Sequence, residues 1–293
     1  MTITVEPSAL ATDEALRPGL IYGLERLRQM NHTLAWNDSS LPDEQRNRMI
    51  SQGLESTPAI ASPDLRITAE GTRLLARSDE QIVAEGENWI QLTERLLFPV
   101  RETQLERSTA ETGIRLRLNL DGTGKNRIQT GLNFFDHMLE QIAKHGLMDL
   151  ELTCDGDLDV DEHHTIEDVA IILGDAIYEL CGKDKTGIQR YGFLLAMDEA
   201  EANVALDLSN RPWLVWNVEF NREYVGDFPL EMARHFFHTL AMQMRATLHI
   251  TVTGENEHHK LEAIFKGFAK ALRFSVTRTE RAAGLLPSSK GVL

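Results

Sequence analysis

Apolar and polar positions alternate in two pairs of short segments, RLRLNLDG (115–122) with LMDLELTCDGD (147–157), and NVALDLSN (203–210) with ATLHITVTGEN (246–256). Alternation of period two, closed by Gly, Asp or Asn, marks a half-buried strand ending in a turn. Elsewhere the period becomes helical. Ile166, Val169, Ala170, Leu173, Ala176 and Ile177 share one face, as do Leu261, Ile264, Phe265, Phe268 and Leu272. Such faces must cover a sheet, which predicts an α+β fold with β-sheets packed against helices. Phe134, Phe135, Met138 and Phe236 are expected in the core.

The patterned segments recur in order. HHTIED begins at His163 and HHKLEA at His258, 95 residues later. A helix-like segment precedes each, FFDHMLEQIAKHG with His137 and MARHFFHTLAMQM with His235, at gaps of 26 and 23 residues. Such matches predict a duplicated module of β-hairpin, helix, strand and helix, with repeats over about 107–198 and 199–293 related by a pseudo-twofold. Before residue 107 the motifs are sparse. Helices are expected over 18–30, 43–52 and 87–97, a strand at 32–36, and loop over 52–69, where Pro58 and Pro63 fall. Residues 1–106 read as an extension of mixed or mainly helical structure, and 107–293 as the principal domain.

Composition removes several function classes. Thirty basic against 45 acidic side chains leave a net charge of −15, so neither nucleic acid nor anionic lipid is an expected partner. The apolar runs are far shorter than the roughly 20 residues of a membrane span. Cys154 and Cys181 form no CxxC, and the amino-terminal residues lack a leader pattern, so a cytoplasmic protein is expected.

The HHxxE cassettes carry the chemistry. On a helix His163 and Glu167 (i, i+4) and His164 and Glu167 (i, i+3) are neighbours, and His258, His259 and Glu262 repeat the arrangement. Adjacent histidines point about 100° apart and cannot easily grip one ion, but they can serve two. With His137 and His235 the inventory is six imidazoles and two carboxylates, which suits two transition-metal ions. Mn²⁺, Fe²⁺, Co²⁺ and Zn²⁺ all fit ligands of this kind. The carboxylates of Asp161, Glu162, Glu255 and Glu257 either orient the ligating rings or sit solvated at a helix start.

The stretches LDGTG (120–124), GLNFFDHMLEQIAKHG (131–146), CDGDLDVDEHHTIEDVAIILGDA (154–176), QRYG (189–192), MDEA (197–200), LDLSNRP (206–212), TLHITVTGENEHHKLEAIFKGFAKALR (247–273) and PSSKG (287–291) resemble imidazoleglycerol-phosphate dehydratases. The likeness runs from about residue 107 to the carboxyl end, with Glu162, Ala196, Asn210 and Ser289 departing from the commoner residues. It implies a hydro-lyase of histidine biosynthesis that converts D-erythro-imidazole-glycerol phosphate to imidazole-acetol phosphate through an imidazolate bridging two Mn²⁺ ions. It also implies a homo-oligomer of 24 subunits with sites between subunits. By position the metal ligands would be His137, His163, His164, Glu167, His235, His258, His259 and Glu262. Glu111 would be the first choice of proton-transfer base and Glu167 the second. Arg190, Arg211, Lys266, Ser288 and Lys290 would bind phosphate, with Gln141, His145 and Asp198 near the glycerol hydroxyls.

Residues 18–40 weakly resemble the middle of a haloacid-dehalogenase-type phosphatase, a domain some relatives of the dehydratase carry at their amino end. That chemistry needs a DxDxT aspartate at the close of an early strand, and no segment before Pro18 supplies it. The expectation is a non-catalytic, decayed extension. Two other functions stay open: a non-catalytic metal-storage or sensing protein, which would not need Glu111 or PSSKG, and a bifunctional enzyme whose amino-terminal part is a histidinol phosphatase.

Overall fold

Strands and helices alternate along the chain in two compact units, Met1–Pro99 and Val100–Leu293, of a computed structural model. The structure describes residues 1–12, 15–39, 41–55, 57, 60–182, 185–192, 195–279 and 281–291, so Pro58 lies outside it.

The first unit runs β1 (Thr2–Val5), α1 (Pro7–Leu10), α2 (Leu20–Gln29), β2 (Thr33–Trp36), α3 (Asp43–Ser51), β3 (Leu65–Glu70), β4 (Arg73–Ser78), β5 (Gln81–Gly86) and α4 (Trp89–Leu97). Its sheet has the order β2-β1-β3-β4-β5, with β1 parallel to both neighbours and β3-β4-β5 antiparallel. Ile3, Val5, Leu24, Leu27, Ile67 and Trp89 form its core, and the Trp89 indole N–H donates to Ala9 O at 2.8 Å. The extension is therefore mixed rather than mainly helical. The expected loop over 52–69 ends in β3, whose LRITAE, like RLLARS and QIVAEG, interrupts its apolar positions with charge.

The second unit begins with β6 (Glu102–Ser108) and β7 (Thr112–Asn119), then β8 (Asn126–Gln129), α5 (Asn133–Gly146), β9 (Asp149–Gly156) and α6 (His163–Cys181). It continues with β10 (Leu195–Met197), β11 (Ala200–Asp207), β12 (Trp213–Asn217), β13 (Tyr224–Val225), β14 (Phe228–Pro229), α7 (Glu231–Gln243), β15 (Thr247–Thr253) and α8 (Glu257–Val276). The border expected near 107 thus moves to Pro99/Val100, because β6 pairs with β7 along its whole length. Only Leu105 marks the inward side of ETQLERS as apolar, which hides that strand in the sequence.

The repeat is visible in topology. Sheets of order β6-β7-β9-β8 and β10-β11-β15-β12 correspond strand for strand, and in each the last strand alone runs parallel to its neighbour. β7 and β11 bury alternate residues identically, Ile114, Leu116 and Leu118 answering Ala202, Val204 and Leu206. Leu147 and Arg245, with φ of 51° and 50°, turn the chain out of α5 and α7 into the following strand. Asn210, at φ 56°, adopts a conformation that asparagine tolerates, which accounts for its standing where glycine is commoner. α5 and α6 pack on the first sheet and α7 and α8 on the second, while α5 meets α8 and α6 meets α7. One core cluster spans both repeats and includes Phe135, Met138 and Phe236.

Asp121, just beyond β7, accepts from Arg101 N, Nε and Nη2 at 2.9, 3.0 and 2.6 Å and from Arg278 Nη2 at 2.9 Å. Burial opposes its ionisation, but the Arg101 hydrogen bonds outweigh burial and hold the carboxyl below its ordinary value of 3.8. A depressed folded-state pKa stabilises fully above the unfolded value, and that stabilisation is lost as pH falls through the folded one. Asp121→Asn should therefore cost about 1.5–3 kcal/mol at pH 7. Calorimetric melting of variant and wild type should converge below 3.8; an unchanged gap there would contradict the ion-pair account.

Candidate metal centre

Helix geometry decides which histidine of each adjacent pair meets the glutamate. The i, i+4 partners face one another: His163 Nε2 lies 3.4 Å from Glu167 Oε2, and His258 Nε2 lies 3.0 Å from Glu262 Oε2. A third donor comes from the other repeat. His235 of α7 brings Nε2 to 3.3 Å from Glu167 Oε1, its ring centroid 4.7 Å from that of His163. His137 of α5 joins His258 and Glu262. In each triad one ligand atom per residue falls within 4.8 Å of the others. The crossed pairing follows from the packing of α6 on α7 and α5 on α8.

The donor set fits a cation. His235 Nε2 is buried and makes no hydrogen bond among the described residues, although it faces a carboxylate oxygen. Leaving such a nitrogen unsatisfied costs about 1–3 kcal/mol, which ligation would offset. Two imidazoles and a carboxylate, without thiolate, suit a borderline or hard divalent ion.

Local structure fixes each ligand. Asn256 Oδ1 caps α8 by accepting from the backbone N–H of His258 at 2.9 Å and of His259 at 3.4 Å. Asp161 Oδ1 does the same for His163 N at 2.7 Å. α5 starts after Leu132, which cannot cap, and Asp227 between β13 and β14 accepts instead from Asn133 N at 2.7 Å and Phe134 N at 2.8 Å. Gly156 lets the end of β9 approach α6, since a Cβ there would stand 2.1 Å from Thr165 Oγ1. Buried Lys260 bonds Glu257 at 2.9 Å and Glu219 O at 2.7 Å, tying the loop before β13 to the first turn of α8.

His164 and His259 stand outside the triads found among the described residues, their rings 6.0 and 6.1 Å from those of His163 and His258. His164 Nδ1 lies 3.1 Å from Asp157 Oδ2 and its Nε2 3.7 Å from Glu111 Oε1. His259 Nδ1 lies 2.8 Å from Glu199 Oε2 and 4.0 Å from Asp198. The Asp157 hydrogen bond raises the pKa of His164, and the Glu199 hydrogen bond that of His259. Glu199 itself is held down to about 2, first by His259 and then by the backbone of Asn256. The carboxylates that bond these rings are thus Asp157 and Glu199. Those expected from the sequence sit elsewhere: Asp161 caps, Glu162 accepts from the Tyr224 hydroxyl at 3.4 Å, Glu257 pairs with Lys260, and Glu255 is exposed. Repeat alignment could have revealed Glu199, which precedes β11 as Glu111 precedes β7.

The remaining candidates fall into two groups. Around the second triad, Gln141 Nε2 donates to His137 O at 3.3 Å and Lys266 Nζ lies 2.7 Å from Glu262 Oε1. Burial disfavours ionised Glu262, but Lys266 and His258 outweigh it and its pKa falls. Burial first, then Lys266 and Lys270, lowers the pKa of His145. Phe134 is only half-buried and meets His258 edge-on at 5.1 Å, so it belongs to the site as much as to the core where it was expected. The second group gathers on Asp207. Buried Arg190 binds both its oxygens and donates to Pro287 O at 2.8 Å, which anchors the turn bearing Ser288 and Lys290. Exposed Arg211 lies 4.0 Å from Asp207.

A family model described as imidazoleglycerol-phosphate dehydratase matches residues 130–272. The chain is 54% identical to the imidazoleglycerol-phosphate dehydratase of Desulfitobacterium hafniense over 196 residues, 66% of this chain and 99% of that one. It is 51% identical to the histidine biosynthesis bifunctional protein HisB of Spirosoma linguale over 226 residues, 77% of this chain. The match spans only 59% of that relative's own length. Among solved structures, the imidazoleglycerol-phosphate dehydratase of Staphylococcus aureus aligns at 35% identity with a TM-score of 0.55, covering 61% of this chain and 99% of that one.

Removing the cap that begins α5 should loosen the turn bearing His137. Asp227→Ala is expected to cost about 1 kcal/mol and to speed hydrogen exchange of the Asn133 and Phe134 amides roughly fivefold. Wild-type protection of those amides in the variant would remove Asp227 from the architecture of the site.

Proposed function

The chain belongs to the imidazoleglycerol-phosphate dehydratase family, and on that premise we propose that its second unit dehydrates D-erythro-imidazole-glycerol phosphate to imidazole-acetol phosphate in histidine biosynthesis. The observation that carries the reading is the pair of crossed triads, each with two imidazoles, a carboxylate and donors converging within 4.8 Å. Their ions would be Mn²⁺, which favours six ligands of mixed nitrogen and oxygen. Three protein donors leave open positions in each site. His164 and His259, which stand outside the triads of their own chain, are suited to enter the sites of a neighbouring copy. The reading thus calls for a homo-oligomer, and a closed shell of 24 subunits satisfies it. Among the described residues no helix is long and apolar enough to cross a membrane. A cytoplasmic setting goes with the unpaired thiols of Cys154 and Cys181.

Bound there, the two metal ions would supply Lewis acidity to the substrate's imidazole and orient it. The chain's own residues do the rest. The proton to be lost sits on a carbon with no carbonyl beside it, so a positioned base is needed. Glu167 is a poor candidate, since its oxygens face His163 and His235 at 3.4 and 3.3 Å. Glu111, partly exposed and 3.7 Å from His164 Nε2, is the base in this account. Gln141, His145 and Asp198 would hold the glycerol hydroxyls, and Lys266 would place a point charge at the phosphate. Ser288, Lys290 and Arg211 would complete phosphate binding, with Arg190 fixing their turn through Asp207 and Pro287.

We assign residues 1–99 no catalysis. β1 closes on Glu6-Pro7-Ser8, where phosphatase chemistry of the type considered needs a DxDxT aspartate.

The intact protein loaded with Mn²⁺ should turn over imidazoleglycerol phosphate and lose that activity on chelation. Tight metal binding without turnover would favour a storage role instead. Glu111→Gln should keep its metal while kcat falls about 10²–10⁴-fold; loss of metal in that variant would make Glu111 a ligand. Incubated with histidinol phosphate, the protein should release no phosphate.

A further inference from the structure

The two repeats use their equivalent glutamates differently. Glu111 and Glu199 each stand one residue before the long strand of their repeat and beside the second histidine of its HHxxE cassette. In the first repeat the Nδ1 side of His164 is taken by both oxygens of Asp157, at 3.2 and 3.1 Å. That leaves Glu111 on the Nε2 side, where its carboxylate accepts no hydrogen bond among the described residues. In the second repeat the turn after β15 offers Gly254, Glu255 and Asn256, and Asn256 is spent capping α8. Here Glu199 takes the Nδ1 side. Its Oε2 meets His259 Nδ1 at 2.8 Å while Oε1 accepts the Asn256 backbone N–H at 2.9 Å. Both oxygens are committed, one to the ring and one to the cap of the helix that carries the ring.

From this we infer that Glu199 is a positioning residue that locks the His259 ring by Nδ1 and presents Nε2 outward as a ligand. Asp157 performs the same task for His164 in the other repeat. A carboxylate on Nδ1–H fixes the tautomer and raises the basicity of the opposite nitrogen, as outer-shell partners of ligating histidines do. Glu111, relieved of that task by Asp157, is left as the one of the pair whose carboxylate remains free for proton transfer. The inference rests on the metal-centre reading above and assigns its two glutamates to separate work.

Manganese titration of the intact, metal-stripped protein tests it, with calorimetry reporting stoichiometry and affinity. Glu199→Ala should weaken one class of site about 10–100-fold. Glu199→Gln, whose single amide oxygen can accept from Nδ1–H but whose NH2 cannot accept the Asn256 N–H, should bind between wild type and Ala. Glu199→Asp keeps the charge but not the reach, and should be as weak as Ala. Glu111→Ala should leave affinity essentially unchanged, and elution volume and circular dichroism should match wild type throughout. Wild-type affinity in Glu199→Ala, or a Gln variant as weak as Ala, would overturn the role. If wild type itself binds no Mn²⁺, the metal-centre reading fails before Glu199 is at issue.

Discussion

Donor atoms that share an ion must meet within a few ångströms, and no single helix of this protein can bring three of them together. One turn supplies a histidine and a glutamate four residues apart. The third donor, a second imidazole, has to arrive from another helix, and in both triads it arrives from the other repeat. That requirement binds the architecture together. α6 must pack on α7 and α5 on α8, so the two sheets beneath them cannot fold as independent halves with separate sites. The shared core, with Phe135 and Phe236 edge to face at 5.5 Å, is the apolar counterpart of the crossed triads.

Around the triads, polar groups hold the ligands by their backbones as much as by their rings. Asn256 and Asp161 accept from the first-turn N–H groups of the cassette histidines, and Asp227 reaches from a hairpin present in only one repeat to cap α5. Ring orientation is handled separately, by Asp157 and Glu199. A duplicated fold has thereby become chemically asymmetric at one point. The spare carboxylate of Glu111 has an equivalent in Glu199, but that equivalent is fully occupied.

The sequence made much of this legible, and for identifiable reasons. The strands at 112–119 and 200–207 announce themselves because one face is apolar at every second residue, and α6 and α8 because their apolar stripes are long. β6 escaped because Thr103 and Arg107 occupy its inward positions, Arg107 being satisfied by buried Asp168 at 2.8 Å. In the first unit, β3, β4 and β5 are only six residues each, and β5 buries just Ala84 and Gly86, so their alternation is too brief to stand out. At the site, i, i+4 spacing pairs each glutamate with the first histidine of its cassette. Which helix delivers the third donor is a tertiary fact, and so is the choice of orienting carboxylate. Glu199 lies 60 residues from the ring it holds, whereas the acids adjacent to the HH pairs serve helix starts instead.

The central claim is that two crossed triads, completed by histidines of neighbouring copies, hold two manganese ions. Anomalous scattering at the manganese edge from crystals of the loaded protein tests it most directly. The account predicts two peaks per chain, one between His137, His258 and Glu262 and one between His163, Glu167 and His235. Each peak should also lie against a His164 or His259 from another copy. Peaks elsewhere, or peaks in the triads with no His164 or His259 of another copy against them, would contradict it.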